Sequence, residues 1–128
     1  MRNRLVPRTE WDRFFDGFSR RHHGRRATVR VFGPRLGSQV EARDLPLEGI
    51  VPDAWNPTVI DIFLGSAPPQ PNIEHHVTDS EQVWVELTDE GVEEALEIAS
   101  QDGTKTVVQF GTRAPRFQVT EADSDWPS

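Results

Sequence analysis

Near the start of the chain, Trp11, Phe14, Phe15 and Phe18 fall at i, i+3, i+4 and i+7, while Asp12, Arg13, Asp16 and Gly17 occupy the positions between them. That spacing draws one apolar stripe along a helix and predicts an amphipathic helix over about residues 9–22. Thr9 stands where a side-chain hydroxyl can cap the first amide groups. Arg20, Arg21, His22 and His23 suit the negative end of the dipole, and Gly24 can take the left-handed conformation that closes a helix.

From Ala27 the period changes to two. Ala27, Val29 and Val31 alternate with Thr28, Arg30 and Phe32 until Gly33-Pro34 stops the run, which predicts a first strand. Val40–Leu45 reads as a weaker strand ended by Pro46, and Leu47–Val51 as a short one ended by Pro52. Both are expected near an edge, where proline costs no ladder bond. Val59–Leu64 is apolar on both faces apart from Asp61, as expected of a central strand covered by the helix. Ser66–Asn72 is a proline-rich loop, and Ile73–Val77 a further strand. Val83, Val85 and Leu87 alternate with Gln82, Trp84 and Glu86. Asp89–Glu94 is a turn or one helical turn, and Asp102-Gly103 between alternating runs is a hairpin signal.

These elements predict an α+β fold. An N-terminal amphipathic helix packs on a mostly antiparallel, curved sheet or partly open barrel of six to eight strands, because the connections are too short for crossover helices. Residues 1–111 form one helix-plus-sheet domain. Residues 112–128, rich in acids, Pro and Ser, read as a C-terminal tail that docks only through Phe117 or Trp126.

Composition supports a folded, β-rich chain. Val, Ile, Leu and Phe make up 32 of 128 residues, with 13 Val against 7 Leu. With no cysteine, thiol chemistry, disulfides and Cys-ligated zinc are excluded. Neither a signal-type apolar run nor a membrane-length one is present, so the expectation is a cytoplasmic protein without membrane contact. The net charge of −7 hides an asymmetry: residues 1–44 carry +6 and residues 45–128 carry −13. The basic N-terminal elements are expected to pack beside the acidic strands, within one chain or across a homodimer.

Candidate chemistry is sparse. No phosphate loop, dinucleotide glycine pattern, nucleophile elbow, zinc-protease helix or calcium loop occurs, and Gly33–Ser38 reads as a hairpin loop. Four histidines form two adjacent pairs, His22-His23 and His75-His76. Neighbours in a regular element diverge, so neither pair chelates one ion, and no metal or cofactor is expected. Arg20, Arg21, His22, His23, Arg25 and Arg26 are the densest basic feature and the candidate anion site, with helix termination as the plainer account; nucleic acid is disfavoured by the acidic total. Asp61 is the candidate functional acid, with an arginine pair or an exposed edge position as the structural alternative. Trp84 and Phe32 are candidates for an interaction surface across one sheet face.

Three phrases together, Trp11–His22, Val40–Ile50 and Asp89–Ile98, resemble a small uncharacterised bacterial family, the domain of unknown function catalogued as number 5335. The resemblance runs from about Leu5 to Gly111 and implies a bacterial origin, with no activity or ligand to carry over. The leading expectation is a small accessory or protein-interaction module without catalytic activity, with a homodimer or another protein as partner. The alternatives are an anion or nucleic-acid binding domain using Arg20–Arg26 and a small enzyme centred on Asp61.

Overall fold

The computed structural model describes residues 2–35, 37–65 and 72–111. The proline-rich stretch 66–71 and the segment from 112 onward, with Phe117 and Trp126, lie outside them. The described chain runs β1 (Arg2–Val6), a 3-10 turn (Arg8–Glu10), α1 (Trp11–His22), β2 (Arg26–Gly33), β3 (Gly37–Pro52), β4 (Ile60–Leu64), β5 (Ile73–Val77), β6 (Ser80–Leu87), β7 (Glu93–Ser100) and β8 (Lys105–Phe110). The eight strands lie in the order β1-β6-β7-β8-β2-β3-β4-β5, and every pairing is antiparallel. The result is an open, curved sheet with one helix, the α+β architecture the periodicities predict.

The aromatic stripe explains the layering. Trp11, Phe15, Phe18 and His22 are the buried residues of α1, with Phe14 packed against them. They fill the concave face together with Val29 of β2, Val83 and Val85 of β6, Leu96 and Ile98 of β7 and Val108 of β8. Ser19, on the same helix, accepts a hydrogen bond from Ile50 N at 2.8 Å and donates to Ile50 O at 3.1 Å, which fixes α1 against β3. Gly24, at φ +84°, closes the helix as its sequence position suggests. Thr9 is not the cap. The 3-10 turn places Glu10 at that position without a side-chain hydrogen bond, while Arg8 donates to Ser80 O at 2.9 Å and lies 5.0 Å over the Trp11 ring. Interlocking with the sheet, more than a cap, anchors this end.

Two expectations are corrected. Arg2–Val6, not read as a strand, is edge strand β1, paired with β6 from Arg2↔Leu87 to Val6↔Val83. Its one buried side chain is Val6, and its partner lies about eighty residues away, so no local pattern announces it. The two short strands expected on either side of Pro46 are one 16-residue strand, β3. Its first half pairs with β2 as far as Pro46, and its second half pairs with β4 from Leu47. Proline falls where the strand changes partners, so its missing N–H costs no ladder bond. Asp44, at φ +54°, sits in a bulge just before the changeover and donates its backbone N–H to Thr28 Oγ1 at 3.1 Å. That bend turns β4 and β5 away from the main sheet.

Phe15 is fully buried and joins the two layers. Phe15→Ala is expected to cost about 3–5 kcal/mol of unfolding free energy, measured by urea denaturation; a loss under ~1 kcal/mol would show that the helix is not wedged into the sheet.

Candidate functional site

On the convex face, register aligns a row across six strands: Leu5, Trp84, Glu97, Val107, Arg30 and Val40. Trp84 and Phe32 do share this face, opposite α1, in a small cluster with Ala95 and Val107. Phe32 is buried, however, and Trp84 is half-buried, with Nε1 donating to Gln82 Oε1 at 3.4 Å. The large apolar side chains exposed along the row are Leu5 and Val40 at its ends.

The basic segment is used internally. Arg20 pairs with Asp16 one turn back. Arg21 donates through Nε and Nη2 to the two Glu93 oxygens at 3.1 and 2.9 Å, and His22 Nε2 lies 2.7 Å from Glu93 Oε1. Arg25 Nη1 donates to Glu93 O at 3.3 Å and toward His22 Nδ1 at 3.3 Å, which assigns the ring proton to Nε2. Arg25 also lies over the Phe110 ring at 4.5 Å, and Arg26 holds Asp44 by side chain at 3.1 Å and by carbonyl at 2.7 Å. All four arginines of the cluster thus have partners within the chain, and His23 is exposed at the helix end. Burial would raise the Glu93 carboxyl, but the hydrogen bonds from His22 and Arg21 outweigh it and hold it below its ordinary value.

Asp61 is half-buried in β4 and faces away from the core, opposite His76 of β5 in register. Its partner is a histidine in place of the expected arginine: His76 Nδ1 donates to Asp61 Oδ1. On the other side of the same ring, Nε2 lies 3.4 Å from Glu74 Oε2. Register explains the convergence, because residues 74 and 76 of an edge strand share the face on which Asp61 projects. Val51 of β3, Asp61 and His76 form one transverse row. His75 points to the opposite side, toward Glu41 at 3.9 Å. It also lines a hollow of about 130 Å³ with Val31, Ser100 and Thr106. A larger hollow of about 450 Å³ adjoins it through Asp102 and Thr104, under the tip of the β2–β3 hairpin at Pro34 and Arg35. Gly33–Ser38 is therefore a hairpin loop, with Gly33 paired to Gly37. The two neighbouring imidazoles are tuned apart: burial pulls His75 down, whereas the hydrogen bond that His76 donates to Asp61 raises His76.

One surface residue escapes the sequence reading. Trp55, in the loop between β3 and β4, is 95% exposed. Its loop is nonetheless organised. Asp53 accepts hydrogen bonds from the amides of Trp55 and Asn56, both at 2.9 Å, and Asn56 Oδ1 accepts from the amide and hydroxyl of Thr58 at 3.2 and 2.7 Å. Backbone bonds from Asp53 N to Val59 O and from Val59 N to Asn56 O close the base. The available signal is local: a lone Trp between Pro52-Asp53 and Asn56-Pro57 sits among turn formers, where no core can receive it.

Comparison with known proteins adds a family and no activity. The profile described as "Family of unknown function (DUF5335)" matches residues 2–117, extending past both ends of the resemblance noted above. An uncharacterized protein of Aquifex aeolicus (strain VF5) is 23% identical over 115 residues, covering 90% of this chain and 97% of that protein. No solved structure matches the chain.

Two outcomes are expected from these contacts. Glu93→Gln should lower stability by about 2 kcal/mol at pH 7, because it removes the charge that Arg21 and His22 share. A carboxyl held low in the folded state stabilises above its unfolded pKa, so this difference should shrink as the pH falls below 4.5; urea denaturation at pH 7 and pH 3.5 reads both. In an NMR titration His76 should lose its proton above pH 6.5 and His75 below it. The His76 contribution to stability is therefore complete below pH 6.5 and fades as the pH rises through its raised value, and Asp61→Asn should bring its midpoint down.

Proposed function

The chain belongs to the family of unknown function DUF5335, and from that premise we propose that it is a protein-interaction module without catalytic activity, anchored by Trp55. The carrying observation is a tryptophan that is 95% exposed on a loop whose backbone is already fixed by Asp53 and Asn56. Tryptophan offers a large contact area and is enriched at interface hot spots. A preorganised loop spares the ordering cost that binding otherwise carries. Val51, 50% exposed, extends the apolar surface along β3, and Asp53, Asp61 and Glu74 border it with negative charge. The partner this surface fits is a protein with an apolar pocket and a basic rim.

The alternative readings have less support. The arginines expected to bind an anion or a nucleic-acid backbone are paired with Asp16, Asp44 and Glu93. Asp61 meets His76 on an open sheet face, and neither of the two hollows described above is lined by Asp61. No described helix is long and apolar enough to cross a membrane. The absence of cysteine favours the cytoplasm as the compartment of this module. A second copy of the chain is the partner to examine alongside a different protein.

Trp55→Ala is the test. Light scattering across micromolar concentrations detects self-association, and immobilised protein recovers a partner from extracts of the source organism, whose affinity is then measured directly. The variant should keep its melting temperature and weaken the interaction by roughly thirtyfold or more. Association that is undiminished in the variant, or absent from the wild type, would overturn the proposal.

A further inference from the structure

Among the described residues, which hold eleven of the thirteen arginines of the chain, the ionic partner of both Asp61 and Glu74 is a single histidine. No described arginine pairs with either carboxylate. The Asp61–Glu74–His76 cluster therefore carries net negative charge whether the imidazole is protonated or not. Its donor atoms, one per residue, lie within 4.8 Å of one another. The 3.4 Å between His76 Nε2 and Glu74 Oε2 compares with about 3.3 Å between two ligands on a tetrahedral zinc ion, given metal–ligand distances of about 2.0–2.2 Å.

The geometry points to a divalent transition-metal site of the zinc type, in which His76 supplies Nε2 and Glu74 one carboxylate oxygen, while Asp61 holds the ring from behind through Nδ1. The frame is stiff, because Ile60 and Ile62 flank Asp61 and are fully buried, and Val77 beside His76 is buried too. The approach is open, because β5 is the edge of the sheet and His76 and Glu74 are exposed. An imidazole nitrogen beside a carboxylate oxygen is a mixed nitrogen and oxygen set that suits zinc and neighbouring ions better than a purely oxygen-seeking one. The ion would replace the His76 ring proton, which is released to solvent, so binding should tighten as the pH rises from 6 to 8. His75 stays out, on the opposite side with Glu41, so the divergence of adjacent histidines is respected. This inference is independent of Trp55.

Isothermal titration of the untagged full chain with zinc chloride at pH 7.5 tests it, with calcium chloride as the oxygen-seeking control. The expected result is one zinc per chain, affinity reduced at least tenfold in His76→Ala and in Glu74→Gln, full retention in His23→Ala, and no comparable calcium binding. Circular dichroism confirms folding of each variant, and His76→Gln serves if His76→Ala fails to fold. Zinc binding that is absent, that survives His76→Ala, or that calcium matches would overturn the site and reduce the cluster to an ion pair.

Discussion

The structure depends on one constraint: the aromatic stripe of α1 has to be covered, and a flat sheet cannot cover it. Phe15 and Phe18 have no exposed surface at all. Burying two phenylalanines and most of a tryptophan on a twelve-residue helix requires strands on more than one side. The sheet supplies them by curving, with β3 bending where it leaves β2 and joins β4. Ser19 fixes that bend from the helix side through both backbone groups of Ile50. Everything beyond the bend, including Asp61, His76 and Trp55, is positioned by how the helix seats.

A second junction ties the ends of the same helix layer. Glu93, at the start of β7, gathers Arg21, His22 and, through its carbonyl, Arg25. A segment that reads as a free basic patch is thereby neutralised by a carboxylate about seventy residues later. The charge asymmetry along the chain is resolved in part by such contacts within one molecule, as with Arg26 and Asp44.

What the sequence makes legible follows from interaction range. The helix, Gly24 as its closing residue, the alternating runs of β2, β6 and β8 and the Asp102-Gly103 hairpin are all written in neighbouring residues, so periodicity finds them. The first strand is not, because its pattern is mostly polar and its partner is β6. Continuous β3 is hidden because Pro46 looks like a terminator until the change of partners is known. Asp61 stands out as an acid in an apolar run, but its meeting with His76 is a matter of cross-strand register, which no single segment encodes. Trp55 is conspicuous only as an aromatic among turn residues, and its exposure becomes evident once the core is seen to close without it.

The strand order also sets a timetable. β1 pairs with β6, and β2 needs β8 on one side, so the N-terminal elements complete their pairing after residue 110 has been made. At roughly 5–20 residues per second, α1 leaves the ribosome on the order of several seconds before the strands that cover it exist. During that interval Trp11, Phe14, Phe15 and Phe18 form a bare aromatic ridge on a nascent chain. The three charged residues interleaved with it, Asp12, Arg13 and Asp16, therefore matter before the fold exists: they keep the ridge from being continuous around the helix while it waits for its sheet.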